Sequence, residues 1–410
     1  MCQAQILSFK AWGALAAGMA LAVCAIGLAA CSRTPRPNVI LITVDGLQAD
    51  GRGGVVGDTP TIDALAARGA TYSRVIAASL YRNSAVASLL TGLNPRRHEA
   101  RTNEAVLADS AETLGQLLSA EGYDCVAFLE DARLEPLRRG ARALEGDVSP
   151  SGLSRWVRSV EKPFHLWWHV GAATPADLDS AELASAAARA AELRLAEILV
   201  ALRGSGRLDD TLVVLTAPRG PVGVDTELPH GIFRDEVLHV PWIFIGPGVP
   251  VGQVAAQVGG VDVLPTVLEL IDVPRPRGLV GHSAAAALFG HRIKDRIRFT
   301  EGFSEGAGTP GYWAYIPSCW NPERDPWLYL EGDEPAVMRA LSAPRGLKVI
   351  HDPFDPAEQF TVLAGDAERD PDVQRAQTLL RAVVSLNRWG ELPETLSHAQ
   401  IAELDALGYQ

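Results

Sequence analysis

Asn38-Val-Ile-Leu-Ile-Thr-Val44 is a seven-residue run with no alternation of apolar and polar positions, so it predicts a strand buried on both faces. Strands of that kind sit inside parallel sheets that helices cover on both sides. Reading outward, Thr59-Pro60 opens a helical stretch, TIDALAARG, with Pro in its first turn and Gly69 as its stop. Four more short apolar runs follow: YDCVAFL from Tyr123, PFHLWWHV from Pro163, TLVVLTA from Thr211 and VPWIFIG from Val240. Helical patterns separate them at Ala111 to Ala120, Ser180 to Arg203 and Val263 to Ile271. The segment from Ser180 is Ala-rich with interspersed Arg and Glu but carries no sustained heptad, so it reads as a covering helix. Residues 38–290 therefore predict an α/β domain with a large, mostly parallel sheet. After Gly290 the composition shifts toward Trp, Tyr and Pro, in IRFTEGF, GYWAYIPSCW and PWLYLEG. Short β-runs continue through GLKVIHD and EQFTVLAG, with helical patterns near Val373 to Leu386 and Ala399 to Leu407. Residues 291–410 predict a smaller C-terminal antiparallel sheet with helices.

The 410-residue chain is long enough to bury such a core without staples, and its formal charge of −12 is spread without long runs of one sign, which argues against nucleic acid as a partner. Lys10 precedes a small and apolar run from Ala11 to Ala30 that ends in Leu-Ala-Ala before Cys31. This pattern predicts a lipoprotein signal peptide over residues 1–30, cleavage before Cys31, lipidation of Cys31 and a loose tether over residues 31–37. An uncleaved membrane helix is the alternative, since the run approaches spanning length. Several acyl chains would make a stable membrane anchor. Ser32 after the lipid site favours the outer membrane, with the mature chain facing the periplasm. Cys125 and Cys319 then remain; Cys125 lies in an apolar run and reads as a buried strand residue, while an oxidising periplasm permits a disulfide between the two.

Ser79 to His98 reads SLYRNSAVASLLTGLNPRRH, and its second half, ASLLTGLNPRRH, resembles the stretch that follows the nucleophile in the sulfatase family of the alkaline-phosphatase superfamily. PNVILITVDGLQAD, TLGQLLSAEGYDCVAF, DDTLVVLT, HGIFRDEVLHVPWIFIGPGVP, VDVLPTVLELIDVPRP and the closing ELDALGYQ resemble further family blocks in the same order. The resemblance implies an alkaline-phosphatase-like α/β domain followed by a smaller sheet domain. It also implies a formylglycine nucleophile at the start of a helix, where free N–H groups favour an anion, and calcium or magnesium held beside it by hard oxygen ligands.

Residue by residue, this sequence departs from that chemistry. The nucleophile slot holds Arg82, the Pro slot Ser84 and the Arg slot Val86. Asp45, at the end of the first strand, matches the first metal carboxylate and is the one matching ligand, with the capping of a turn as its plain alternative. Gly46 follows it where a second carboxylate is common, and Asp50 reads as structural. The family's Asp-His-Gly is Pro218-Arg219-Gly220, and its Asp-Pro-His is Gly171-Ala172-Ala173. Arg219, His230 and Lys348 remain as residues that could line the site, although a loop role for His230 and a strand role for Lys348 explain them equally well. Ser84 lies about 200° round a helix from the slot, Ser79 precedes it by three residues and Ser88 belongs to the packing frame, so none is expected to rescue the nucleophile.

These losses predict a lipid-anchored sulfatase-family protein of the cell envelope that is catalytically inactive or strongly impaired, with no cofactor expected. An active sulfuric or phosphoric ester hydrolase using calcium or magnesium at a non-standard site is one alternative. The other is a module that binds sulfated or phosphorylated glycans or small esters through Arg82, Arg219 and His230, with the aromatic stretch from Tyr312 to Tyr329 lining the groove. A carboxylate left buried and unpaired would be costly, so Arg82 or Arg219 is expected to pair with Asp45 in place of a metal.

Overall fold

The structure is a computed structural model that divides into two compact units, Met1–Pro37 and Asn38–Gln410. It describes residues 36–101, 106–144, 150–161, 163–171, 178–223, 235–293, 298–304, 311–315, 339–343, 347–351 and 360–362, with single positions at 378, 397, 399 and 401–402. The run from Ala11 to Ala30, Cys31, Ala173, His230, Cys319 and most of the aromatic stretch from Tyr312 lie outside them. Among the described residues no helix is long and apolar enough to cross a membrane.

An eight-stranded sheet forms the core of the second unit. Its strands are β1 (Asn38–Val44), β2 (Ala70–Ile76), β3 (Asp124–Leu129), β4 (Arg142–Ala143), β5 (Phe164–Val170), β6 (Thr211–Thr216), β7 (Trp242–Ile245) and β8 (Gly252–Gly259). They lie in the order β4-β3-β5-β1-β6-β7-β2-β8. Five of the seven strand pairs are parallel; β7 runs antiparallel to both of its neighbours. All seven residues of β1, β5 and β6's six are buried, as their unalternating sequences require. The strand β2, whose sequence ATYSRVI alternates weakly, and the edge strands β4 and β8 carried no such run and were not evident beforehand.

The helices are α1 (Pro60–Ala66), α2 (Arg82–Thr91), α3 (Pro95–His98), α4 (Leu114–Ala120), α5 (Pro150–Ser159), α6 (Ser180–Ser205), α7 (Asp235–Leu238), α8 (Val263–Leu270) and α9 (Ala285–Leu288). α6 is the expected covering helix, started by a capping box between Asp179 and Glu182 and stopped at Gly206. A second sheet of five antiparallel strands has the order β10-β9-β11-β12-β13. These are β9 (Arg298–Ser304), β10 (Gly311–Tyr315), β11 (Arg339–Ala343), β12 (Leu347–His351) and β13 (Phe360–Val362). Thr300 of β9 ties it to the large domain by donating its hydroxyl to the carbonyl of Ala77, 2.7 Å away. Lys348 lies on β12, paired with Ser342 of β11.

The helix that carries Arg82 is enclosed along its whole length. All ten residues of α2 are buried. Gly92 ends it in the left-handed region, at φ 65°, which a side chain would resist. The chain then turns through Asn94, whose side chain accepts the backbone N–H of Arg97 and so caps α3. His98, at the end of α3, returns to α2: its Nδ1 accepts the N–H of Ala100 at 3.1 Å, leaving Nε2 to donate to the Ser88 hydroxyl at 2.9 Å. Thr91 also spends its hydroxyl on the carbonyl of Ala87. Ser88, Thr91, Asn94 and His98 therefore serve the turn itself, while Arg97 reaches out of it to donate to the carbonyl of Gly278 at 3.0 Å.

Burial pushes three imidazoles down, His98 to about 3 and His165 and His169 to about 4. They are neutral in the fold and become protonated in the unfolded chain below about pH 6.5. Protonation thus favours unfolding as pH falls from about 6.5 to 4, by up to about 1.4 kcal/mol per pH unit for each imidazole. Urea titrations at stepped pH should show stability falling through that window, above the range in which carboxylates titrate; a flat profile from pH 6.5 to 4.5 would contradict the neutral assignment.

Candidate functional site

The carboxyl ends of β1, β3 and β6 and the first turn of α2 come together at one place, the expected location for a site in an open α/β sheet. In register across the sheet, Thr43 of β1 faces His169 of β5 on one side and Thr216 of β6 on the other. Trp167 donates its indole N–H to the Thr43 hydroxyl at 3.0 Å, and that oxygen lies 2.9 Å from His169 Nδ1. Thr43 and His169 Nδ1 thus share one buried hydrogen bond across the strand pair. His169 Nε2 and Thr216 Oγ1 are buried without a hydrogen-bond partner.

One residue beyond β1 stands Asp45, 5% exposed. Arg82 is the first residue of α2 and 8% exposed. A cation at a helix N-terminus meets the wrong end of the dipole, and two carboxylates offset it. Arg82 Nη1 lies 3.3 Å from Asp45 Oδ2 and 2.7 Å from Asp131 Oδ2. One guanidinium nitrogen thus bridges two acids from the ends of β1 and β3, the strands on either side of β5. The opposite side of Asp45 faces Arg219, with Nε 3.9 Å from Oδ1, too long for a hydrogen bond; neither atom has another partner. Burial pulls the Arg219 guanidinium down from its ordinary value and Asp45 raises it again; it stays charged at neutral pH. The expected pairing of Arg82 with Asp45 is present, and Arg219 adds a longer ion pair on the far side.

Asp131 was missed from the sequence, and it is the second anchor of the site. Its Oδ1 accepts the backbone N–H and the Nε of Arg133, both at 3.0 Å, so it caps the 3-10 turn Ala132–Leu137 as well. Arg133 Nη2 reaches Oδ2 at 2.8 Å. Burial pushes the Asp131 carboxyl up, but the hydrogen bonds from Arg133 and the charges of Arg82 and Arg133 outweigh it and hold the group at about 2. Asn83, the second residue of α2, locks this turn to the helix by donating to the carbonyl of Arg133 at 2.9 Å. A usable signal existed: Asp131 stands two residues past the run YDCVAFL, after Glu130, and strand ends are where such folds place their sites.

Other expectations sort plainly. Asp50 is structural, its Oδ1 accepting the N–H groups of Arg52 and Gly54. Gly220 is retained for packing, because a Cβ there would stand 1.8 Å from the carbonyl of Glu236. Ser84 is fully buried within α2. Cys125 is a buried free thiol pushed up to about 12 by burial and by Asp124.

A dication would need six or more oxygens, and the residues do not fit one. Asp45 and Asp131 already share Arg82, Gly46 and Pro218 bring no donor, and Arg219 brings a positive charge. Among the described residues no group of three or more His, Cys, Asp or Glu is placed to hold a metal.

The Sulfatase family profile matches residues 37–130, the stretch that carries Asp45 and Arg82. Arylsulfatase K of Danio rerio is 40% identical over 198 residues, covering 46% of this chain and 34% of the relative. The sulfatase family is thus the one this chain resembles over that stretch. The chain is also similar to the inner membrane protein YejM of Salmonella typhi, at 23% identity over 258 residues, which cover 58% of the chain and 42% of that protein. It spans well under half the length of both relatives. A solved 2-O GAG sulfatase shares the fold, with TM-score 0.63 and 18% identity over 86% of this chain and 92% of that one. The sulfatase fold, a mostly parallel eight-stranded sheet of alkaline-phosphatase type, is thus common to sequence and structure.

Burial decides which ion pair matters. Replacing Arg82 by Ala leaves two buried carboxylates facing each other and should cost about 3–5 kcal/mol. Arg133, whose side chain is 63% exposed, should cost under about 1 kcal/mol when replaced by Ala. Denaturant melts of the two variants check the difference, and equal costs would contradict it.

Proposed function

We propose that this chain is an envelope-tethered member of the sulfatase family that does not carry out metal-assisted hydrolysis of sulfuric esters. One observation carries the reading: the Arg82 guanidinium stands at the start of α2 between Asp45 and Asp131, where the family chemistry needs a nucleophile and a dication. A guanidinium is always protonated and is no nucleophile. His169, the nearby imidazole, is held neutral at about 4 by burial and is bound through Nδ1 to Thr43. In this reading residues 1–30 are a signal peptide, Cys31 carries the lipid, residues 38–290 are the sulfatase-like domain and residues 291–410 the smaller one. The membrane is then the first partner. Ser32 favours the outer membrane, and the similarity to an inner membrane protein supports the envelope more generally.

A second reading has one observation in its favour. Three guanidiniums meet two carboxylates here, and Arg219 keeps a buried donor without a partner. That surplus suits recognition of a sulfated or phosphorylated sugar without cleavage, with His230 and Lys348 as further contributors.

Aryl sulfate and aryl phosphate assays, each with calcium or magnesium added, separate these readings from an active hydrolase. The purified chain should release no more product than its Arg82→Ala variant. Turnover that exceeds the variant would overturn the proposal. A rise in Tm with sulfated oligosaccharides, without product, would select the binding reading.

A further inference from the structure

We infer that a pocket at the amino end of β6 is a second binding site, for a small soluble organic anion: a charged head on an apolar body about the size of one ring. The pocket has a volume of about 190 Å³. It stands at the far end of β6 from the Arg82 site, roughly 20 Å away at about 3.3 Å per strand residue. It does not depend on the chemistry at Arg82.

Four stretches of chain build the walls. Leu208 and Asp209 come just before β6 enters the sheet at Thr211, and β7, running antiparallel to it, brings Ile245 back to the same end. Gly246 keeps the chain pressed against β6 there: its φ is 145°, and a Cβ would stand 2.7 Å from the carbonyl oxygen of Thr211. Leu65 and Arg68 come from the end of α1 and the residues just past it, and Leu199 and Arg203 from the end of α6. Spacings of three and four residues put each leucine and its arginine on one face. Each helix thus offers the pocket an apolar group with a cation beside it.

Leu65, Leu199 and Ile245 are buried and form the floor with half-buried Leu208. Arg68 and Arg203 are exposed, and among the described residues neither guanidinium has a hydrogen bond or an ion pair. Other arginines of this domain are engaged: Arg138, Arg142 and Arg194 pair with acids, and Arg158 and Arg207 donate to carbonyls. Asp209 is the one acid of the lining and pairs with neither arginine, so positive charge is in surplus. Guanidiniums suit the oxygens of a phosphonate, sulfonate or carboxylate. A cavity of about 150 Å³ holds one benzene ring, which sets the size of the apolar body. Both arginines also complement helix C-termini; that accounts for their sign, and not for their meeting over an apolar floor.

Titration of the full chain with phenylphosphonate, followed by ligand-observed NMR, tests the site. The expected Kd is about 1 mM, in keeping with a ligand of about ten non-hydrogen atoms. Inorganic phosphate and phenol, each offering half of the chemistry, should bind at least about tenfold more weakly. Arg68→Ala and Arg203→Ala, at exposed positions that leave the fold intact, should each weaken binding at least about fivefold. Leu208→Trp, which fills the pocket and keeps both arginines, should abolish it. Asp209→Asn, which removes the opposing charge, should tighten it about twofold. Absence of binding at about 10 mM, or binding that survives Leu208→Trp or the loss of both arginines, would overturn the inference. Inorganic phosphate bound as tightly as phenylphosphonate would overturn the apolar half of it. Dihexanoylphosphatidate bound more tightly than phenylphosphonate, and lost in the same variants, would overturn the soluble source in favour of a lipid headgroup. None of these outcomes bears on hydrolysis at Arg82, which the ester assays read separately.

Discussion

A guanidinium buried between two carboxylates sets the arrangement of the strand ends. Arg82 enters from the first turn of α2, Asp45 from the end of β1 and Asp131 from just beyond β3, and one nitrogen meets both acids. None of the three is tolerable there alone. Arg82 opposes the helix dipole, and either acid without a partner would carry the desolvation cost of an isolated charge. Together they fix three elements: Asp131 also caps the turn at Ala132–Leu137, and Asn83 binds that turn to α2. The ion pairs thus belong to the packing of the sheet edge against its central helix.

The same helix explains why a sequence can keep a family signature beyond its chemistry. Ser88, Thr91, Asn94 and His98 are satisfied within the α2–α3 turn, through bonds to His98, Ala87, Arg97 and Ala100. Losing any of them would leave a buried polar group unpaired at a cost of about 1–3 kcal/mol. Selection for folding alone is enough to hold these residues. Gly220 shows the same logic at the end of β6, where the close approach of the Glu236 carbonyl admits no side chain.

Much of this was legible in the residues. The unalternating runs of β1, β5 and β6 located the centre of the sheet, and the helical pattern from Ser180 to Arg203 located α6, which runs two residues further to Ser205. β2 was less visible, because ATYSRVI has mixed burial and pairs at a bulged register with β8. At the site, Asp45 and Arg82 could be placed because both lie in recognisable blocks. Asp131, Asn83 and His169 could not. Their roles arise from contacts between residues 49 to 126 positions apart in the chain, and neither periodicity nor local motif records such a contact. The orientation of His169 is likewise set by Thr43 across a strand pair.

The central claim is that Arg82 and Asp131 act as one buried unit, and a double-mutant cycle measures this directly. Stability would be determined for the native chain, Arg82→Ala, Asp131→Asn and the double variant. The account predicts that the double variant is less damaged than the sum of the two, with a coupling of about 2–3 kcal/mol. Additive losses, within about 0.5 kcal/mol, would contradict it.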